Sequence, residues 1–249
     1  MSLPSHVPVS SKTKTAAKSL IRRHTAFIGS VVAVKTSAPQ VVITFDDGPE
    51  PGGTDAVLAA LEKRGATATF FVLLSRVRRY GDLFREVIAA GHEIALHGVD
   101  HQALPSFRCT EVKQRTRDAR SELEDRAGAP VRWFRPPYGR QTVATWAAVK
   151  QVGLMPVMWG LTTWDWRDMP QDQRVWKAQQ GLKRGAILLA HDAFAGAIDG
   201  VPQRVAPVVD RGDLVDRVLF AYQEAGLVGR SLGDALNEGA PRKAAWFPG

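Results

Sequence analysis

Apolar residues occur along the chain in short runs, and each run is separated from the next by a longer segment with helical periodicity. The runs are rich in β-branched and aromatic residues, which predicts buried strands at 29–35, 41–46, 66–74, 92–97, 131–134, 154–159, 186–190 and 227–228. Apolar residues at helical spacing predict helices at 55–64, 82–90, 110–127, 141–152, 172–183 and 213–225, with a last helical turn at 231–236. Alternating strands and helices are typical of an α/β fold with parallel strands, arranged either as a (β/α) barrel or as an open doubly wound sheet.

The two ends of the chain lack this alternation. We predict a mobile tail at 1–24, one folded domain at 25–238 and a second tail at 239–249. The apolar stretch 26–34 is too short to span a bilayer and has no small-residue cleavage pattern, so we expect neither a transmembrane segment nor an export signal. The sequence as it stands predicts a cytoplasmic protein, whereas a start shortened by removal of a leader would fit a secreted or cell-surface protein.

Composition narrows the possible partners. Cys109 is the single cysteine among 249 residues, which excludes an internal disulfide and a metal site built from cysteines. The net charge of +8 favours anionic partners, such as a phosphorylated sugar, a lipid head group or a cell-wall polymer. The basic residues are scattered and no nucleic-acid-binding motif accompanies them, so we expect a solvated basic surface and no nucleic-acid partner. Neither composition nor pattern predicts an oligomeric state.

Two adjacent carboxylates, Asp46 and Asp47, end the predicted strand at 41–46, and a Gly-Pro pair follows them directly. Successive side chains of a strand point to opposite faces, so the two acids are expected to have different tasks. One proton acceptor and one metal ligand would be such a division. The alternative is an ordinary turn, because Asp-Gly and Gly-Pro are common turn dipeptides.

Polar residues follow predicted strands at five places in the chain. These are Asp46-Asp47, His97 to His101, Arg135 to Gly139, Trp164 to Trp166, and His191-Asp192. The carboxyl ends of parallel strands meet at one rim of a barrel or sheet, which is where α/β proteins place their functional loops. The sequence therefore predicts an active site at that rim.

His97 and His101 are four residues apart, a spacing at which one helical turn would place both imidazoles on one side. Two neutral imidazoles and one carboxylate form a site that suits Zn²⁺ and other divalent first-row ions. An isolated pair at this spacing is also common as a structural feature. The two aspartates at a neighbouring strand end favour the metal site.

Together these residues resemble a known family. Thr-Phe-Asp-Asp-Gly-Pro at 44–49, His-x-x-x-His at 97–101, Arg-x-Pro-Tyr at 135–138, Asp-Trp at 165–166 and Leu-Ala-His at 189–191 are similar to the five motifs of the NodB-homology polysaccharide deacetylases, carbohydrate esterase family 4. The motifs occur in the family's order and their span covers most of the chain. The resemblance implies a distorted (β/α) barrel of about seven strands and metal-dependent removal of N-acetyl groups from an amino-sugar polysaccharide or oligosaccharide.

The resemblance also implies a role for each motif residue. It assigns one divalent metal ion, zinc first and cobalt or manganese as alternatives, to Asp47, His97 and His101. Asp46 becomes the catalytic base, and Arg135 is expected to hold its carboxylate ionised because a nearby cation favours the charged form.

The remaining motifs imply the groups that act on the substrate. His191 is expected to protonate the leaving amine, and Asp165 to orient its ring and raise its pKa. The backbone N–H of Tyr138 is expected to donate to the developing oxyanion.

Four further residues are expected to contact the substrate. Leu189 is expected to line the pocket for the acetyl methyl group, and Pro136 belongs to the motif that carries the oxyanion donor. Trp164 or Trp166 is expected to stack on a sugar face, although core packing explains either indole almost as well.

Two positions depart from the family pattern. Gly98 stands where the family usually has Ser or Thr, and Thr162 stands where an additional acid often occurs. Neither change removes a group needed for turnover, so the sequence predicts an active enzyme. The alternatives are a deacylase or deformylase of a lipid-linked or small N-acylated amino sugar, hydrolysis of another non-peptide C–N bond, and a non-catalytic module that binds anionic glycan or nucleic acid.

Overall fold

The computed structural model describes residues 29–202 and 205–248. The predicted tail at 1–24 and the predicted start of the domain at 25 lie outside these residues. The strands are β1 (Ser30–Lys35), β2 (Gln40–Asp46), β3 (Thr69–Leu73), β4 (Glu93–Gly98), β5 (Trp133–Phe134), β6 (Met155–Pro156), β7 (Leu161–Thr162), β8 (Ile187–His191), β9 (Val228–Arg230) and β10 (Ala240–Ala244). The helices are α1 (Thr54–Lys63), α2 (Leu74–Arg79), α3 (Gly81–Ala89), α4 (Cys109–Ala127), α5 (Val143–Gln151), α6 (Gln171–Gln179), α7 (Arg211–Glu224) and α8 (Leu232–Asn237).

Eight strands form one parallel sheet in the order β6–β5–β4–β3–β2–β8–β7, with β9 paired to the beginning of β2. Strand β2 lies in the middle, and all seven of its residues are buried. In the register of the sheet, Asp46 stands beside Phe71 of β3 and beside His191 of β8. Two of the predicted site residues are therefore neighbours because their strands end at the same level.

Strand β1 pairs with backbone next to two separate strands of this sheet. Val31 pairs with Val157, just after β6, whereas Ala33 pairs with Ala186, just before β8. One strand thus contacts two distant parts of the sheet, which requires the sheet to curl. The result is a curled half-barrel, and the predicted distorted (β/α) barrel is confirmed in place of the open sheet.

The alternation of side chains along β2 separates the two halves of the core. Val41, Ile43 and Phe45 pack with the residues of the surrounding helices, and Val42 packs with the inner cluster of the barrel. By the same two-residue period, Asp46 faces the inside of the barrel. The hydrophobic pattern therefore positions the carboxylate as well as the core.

The end of the chain differs from the prediction of a tail at 239–249. Ala240–Ala244 form β10, which pairs antiparallel with β1 from Ser30↔Ala244 to Lys35↔Ala240. The segment is exposed or half-buried, and its sequence is Ala-Pro-Arg-Lys-Ala. This sequence has no alternation of apolar and polar residues that would predict a strand.

Other differences concern boundaries. The apolar run at 66–74 contains β3 and then continues into α2, which was not predicted. The predicted strand at 154–159 is shortened to β6, and β7 follows it. Within the described part of the chain, no helix is both long enough and apolar enough to cross a membrane.

Candidate active site

A cavity of about 390 Å³ opens at the carboxyl ends of the parallel strands. It is lined by Asp46, Asp47, His97, His101, Tyr138, Gly139, Trp159, Trp166, Leu189, His191, Phe194, Ala195, Val201 and Val205. Polar residues from three different strand ends meet here with aromatic and aliphatic side chains. A concave site with a few converging polar groups and apolar walls is the usual form of a small-molecule site.

Asp46 and Asp47 both line the cavity, although strict alternation predicted that they face opposite ways. Asp46 is the last residue of β2, and Asp47 has a left-handed backbone with φ 79°. A left-handed residue does not continue a strand, so its side chain does not follow the strand's alternation. A turn at Asp47 and a shared cavity for the two carboxylates are therefore compatible.

Asp47, His97 and His101 form a compact group of three buried side chains. Oδ1 of Asp47 lies 3.4 Å from Nε2 of His97 and 3.3 Å from Nε2 of His101. One ligand atom from each residue lies within 4.8 Å of the others. His97 lies on β4 and His101 in the loop after it, so a strand end and a loop bring the imidazoles together, not the helical turn that the spacing suggested.

The hydrogen bonds of this group fit a metal ion. Nδ1 of His97 lies 2.8 Å from the carbonyl oxygen of Arg135, which leaves Nε2 as the ring nitrogen with a free lone pair. Oδ1 of Asp47 is buried and has no hydrogen-bond partner among the described residues. A buried carboxylate oxygen without a donor is costly unless a cation binds it.

The protonation states also fit. Burial lowers the pKa of His101 to about 4, despite the opposing charge of Asp47, so its imidazole is neutral at neutral pH. Burial alone would raise the pKa of Asp47, but interactions with His101 and His97 lower it well below its usual range. Neutral imidazole and ionised carboxylate are the forms that bind metal. Two nitrogens and one oxygen suit Zn²⁺ and other divalent first-row ions.

Asp46 is held by a buried ion pair. Nη1 of Arg135 lies 2.6 Å from Oδ1 of Asp46 and donates a second hydrogen bond of 2.8 Å to Thr44. The guanidinium is fully buried and lies 4.0 Å from the ring centroid of Phe71. The other oxygen of Asp46 lies 3.8 Å from Nε2 of His97, so this carboxylate borders the metal-ligand group. Arg135 compensates its charge and fixes its orientation.

His191 and Asp165 form a second pair in which both carboxylate oxygens are used. Oδ1 of Asp165 lies 2.7 Å from Nδ1 of His191, and Oδ2 accepts the His191 backbone N–H at 2.7 Å. Burial would lower the pKa of His191, but Asp165 outweighs it and the pKa rises to about 9. The imidazole is therefore protonated at neutral pH, with Nε2–H available as a proton donor.

Three more predicted residues line the cavity beside these groups. The ring of Tyr138 lies 4.3 Å from that of His101, and its backbone is left-handed with φ 60°. Trp166 lies 5.3 Å from His191, edge to face. Leu189 comes from β8 and also lines the cavity.

Trp164 and Pro136 are not among the residues that line the cavity. The indole of Trp164 is contacted by the Arg167 guanidinium at 4.2 Å and by Nζ of Lys177 at 4.3 Å. Pro136 accepts the backbone N–H of Gly139 and so helps to form the turn that carries Tyr138. Of the two indoles named from the sequence, Trp166 is the one at the cavity.

Sequence reasoning missed several lining residues. Trp159 could have been found, because it is the last residue of a predicted strand and so lies at the functional rim. Phe194, Val201 and Val205 follow β8 in a loop without periodicity, so no pattern marks them.

A buried acid at the same rim was also left without a role. Asp192 accepts the Gly48 backbone N–H at 3.1 Å and the Thr54 hydroxyl at 2.6 Å. These bonds connect the end of β8 to the turn that carries Asp47. Burial raises the pKa of Asp192 to about 6.

With this geometry in place, comparison with known proteins adds an independent line of support. A family model described as polysaccharide deacetylase matches residues 33–157. The chain is 32% identical over 166 residues to a chitooligosaccharide deacetylase of Azorhizobium caulinodans, covering 66% of this chain and 79% of that protein. It is 33% identical over 175 residues to chitin deacetylase 1 of Saccharomyces cerevisiae, covering 66% of this chain and 56% of the yeast protein.

Solved structures support the fold. A carbohydrate esterase family 4 pseudoenzyme from Bacillus anthracis superposes with a TM-score of 0.72 at 19% identity, over 83% of this chain and 68% of that chain. At this identity the likeness shows the fold alone, and a pseudoenzyme shares it, so activity has to be argued from the residues. The matches to the family model and to the rhizobial relative establish membership: the chain belongs to the polysaccharide deacetylase family, the NodB-homology enzymes of carbohydrate esterase family 4.

Proposed function

We propose that the protein is a metal-dependent hydrolase that removes N-acetyl groups from an amino-sugar polysaccharide or oligosaccharide. The observation that carries the proposal is one cavity that holds a possible metal site, an aspartate paired with a buried arginine, and a protonated histidine. Hydrolysis of an amide needs a polarised carbonyl, a base and an acid, and the cavity has a candidate for each. Relatives named as deacetylases of chitooligosaccharide and chitin agree with this chemistry.

Asp47, His97 and His101 would hold the metal ion, with zinc as our first candidate and cobalt or manganese as alternatives. A bound divalent ion supplies Lewis-acid polarisation of the amide carbonyl and a lowered pKa for its water. Histidine binds metal as the neutral imidazole, so the three side chains would contribute one negative charge in total. A bound divalent ion would therefore keep a net positive charge in the site.

Asp46 would accept the proton of the attacking water. Its free oxygen borders the ligand group, and its other oxygen is fixed by Arg135, so the carboxylate cannot rotate away from the cavity. Because Arg135 also binds Thr44, the base is oriented by the sheet itself. A fixed base within reach of the water contributes roughly 10²- to 10⁴-fold to the rate.

His191 would donate a proton to the nitrogen of the leaving amine. Asp165 keeps Nδ1 occupied, so the proton that leaves is the one on Nε2. After the transfer the amine departs and acetate remains in the cavity. His191 regains its proton before the next cycle because its pKa of about 9 lies above neutral pH.

The walls of the cavity would select the substrate. The backbone N–H of Tyr138 would donate to the oxyanion, a contribution typically worth about 3 kcal/mol. Leu189 would contact the acetyl methyl group, and Trp166 would stack on the sugar. Pro136 would act only through the turn that it shapes, and Trp164 is not among the residues that line the cavity.

A second candidate is a deacylase or deformylase acting on a lipid-linked or small N-acylated amino sugar. The specific observation in its favour is the apolar part of the cavity lining, which includes Phe194, Val201 and Val205. Val205 is almost fully exposed. An apolar flank would accept an acyl or lipid group as readily as a sugar face.

The test is acetate release from N-acetylglucosamine oligomers by metal-stripped protein, with and without added Zn²⁺ or Co²⁺. We expect metal-dependent acetate release that disappears in Asp46→Asn. No acetate from a protein that binds one divalent ion would move the proposal to the second candidate. No acetate and no metal binding would identify a non-catalytic member of the family.

A further inference from the structure

The last strand of the chain brings an aromatic side chain to the back of the cavity wall. After β10, the ring of Trp246 lies 5.4 Å from that of Trp159, which lines the cavity. Trp246 itself is not a lining residue. The contact therefore joins a segment outside the matched family region to the proposed substrate site.

The position of this segment is fixed by hydrogen bonds as well as by the ladder with β1. Nε2 of Gln141 donates to the carbonyl oxygen of Trp246 at 2.9 Å and to the Ser30 hydroxyl at 2.8 Å. Gln141 is buried and follows the turn that carries Tyr138. One side chain thus connects the first strand, the last segment and a loop of the site.

Trp159 is enclosed by parts of the proposed catalytic machinery. A Cβ atom added to Gly139 would stand 2.7 Å from the indole, so the ring lies directly against this glycine. The Arg135 guanidinium lies 5.7 Å from the ring centroid. Trp159 is half-buried and lines the cavity, and the ring of Trp246 is one of its neighbours.

We infer that Trp246 is a positioning residue for the deacetylase site, and that it holds Trp159 in the orientation that shapes the substrate wall. The inference rests on the proposed function. The C-terminal segment then contributes to substrate binding by the catalytic domain. Trp246 touches no metal ligand among the described contacts, so its loss should affect substrate binding more than metal binding.

The experiment compares Trp246→Ala with Phe247→Ala. Phe247 is the adjacent aromatic residue, but its ring contacts Trp146 instead of a cavity residue, which makes it a matched control. Loss of an aromatic pair is expected to raise the KM for N-acetylglucosamine oligomers about 3- to 10-fold in Trp246→Ala, with KM in Phe247→Ala within about 2-fold of the wild type. The Kd for Zn²⁺ should stay unchanged in both variants, and Trp246→Phe should restore most of the KM. Equal KM changes in the two alanine variants would overturn the inference.

A second measurement does not depend on activity. A tryptophan contributes strongly to the near-ultraviolet circular dichroism only while its ring has a fixed orientation. If Trp159 loses that orientation in Trp246→Ala, removing Trp159 as well should not change the signal further. We therefore expect Trp246→Ala and the double variant Trp246→Ala/Trp159→Phe to have the same signal. A further loss in the double variant would mean that Trp159 had stayed fixed, which contradicts the inference even if no substrate were ever found. If Trp246→Ala does not fold, the same comparison is made with Trp246→Leu.

Discussion

The cavity has two polar walls that are built in opposite ways. On the wall formed by Asp47, His97 and His101, an oxygen of Asp47 and Nδ1 of His101 are buried without hydrogen-bond partners among the described residues. On the wall that contains His191, both carboxylate oxygens of its buried partner Asp165 accept short hydrogen bonds from His191. The first wall is arranged to receive a cation, and the second is arranged to keep a proton.

The same side chain behaves differently on the two walls. At His101 burial prevails and lowers the pKa to about 4, whereas at His191 the charge and hydrogen bond of Asp165, with the charges of Asp47 and Asp46, outweigh burial and raise the pKa to about 9. In the proposed mechanism, histidine thus serves as a neutral ligand in one place and as a charged acid in the other. The balance between burial and the neighbouring carboxylates decides which form is present.

The largest effect is expected from the wall formed by Asp47, His97 and His101, where the metal ion is proposed to bind. In His97→Ala or Asp47→Ala, loss of one of three ligands should remove stoichiometric metal, and acetate release should fall to background. Metal content after dialysis and acetate release are measured on the same samples. A variant that keeps full activity without bound metal would contradict the division of the cavity into two walls.

The second-largest effect is expected from the wall that contains His191, called the acid wall below. In His191→Ala we expect kcat to fall roughly 10²- to 10⁴-fold, because the leaving amine loses its proton donor, while metal stays bound. Metal content and kcat together make the test. Loss of metal from this variant would show that His191 is a ligand and that the walls are not separate.

A smaller effect should follow from Asp165→Asn. The raised pKa of His191 means that its proton is kept until the pH rises through about 9. Without the Asp165 charge, burial is opposed only by Asp47 and Asp46, so the pKa of His191 should fall well below 9. A fall to the ordinary value of 6.5 would reduce the protonated fraction at pH 8 roughly 30-fold. NMR titration of the His191 ring in metal-free protein is the measurement. An unchanged titration would exclude Asp165 as the cause.

The same shift has a consequence for stability. A pKa that is raised on folding stabilises the folded state below the unfolded pKa, and this contribution is lost as the pH rises through the folded pKa. The wild-type protein should therefore lose stability between about pH 6.5 and 9 relative to Asp165→Asn. Thermal unfolding across this pH range provides the check.

The smallest effect concerns the aromatic side of the acid wall. Trp166→Ala should raise KM about 3- to 10-fold because Trp166 lines the cavity, and Trp164→Ala should stay within about 2-fold. The two indoles are equal in size and only two residues apart, so one serves as the control of the other. The reverse order would mean that substrate binds along a surface outside this cavity.

Much of the site could be predicted because strand ends in a parallel sheet converge by construction. Asp46, His97 and His191 lie at the ends of strands whose apolar runs are clear in the sequence, so their meeting needed no further information. The strand-to-strand register then placed Asp46 beside His191.

What could not be predicted depends on single backbone torsions and on contacts between distant segments. The left-handed turn at Asp47 reverses the face expected from alternation, and Trp164, also left-handed, lies away from the cavity lining. The strand Ala240–Ala244 has no periodicity of its own, since its partner β1 determines its conformation.

The pairing of β1 with β10 also affects the conformational entropy that the chain loses on folding. Because Ser30 lies opposite Ala244, folding has to close a loop that contains nearly the whole domain. The entropy cost of such a closure grows only with the logarithm of loop length. The chain regains this entropy each time it unfolds, which favours the unfolded state. A covalent link between the two segments would remove this term from the unfolded ensemble, so a cyclised form of the domain should resist heat better while its rim and its chemistry stay the same.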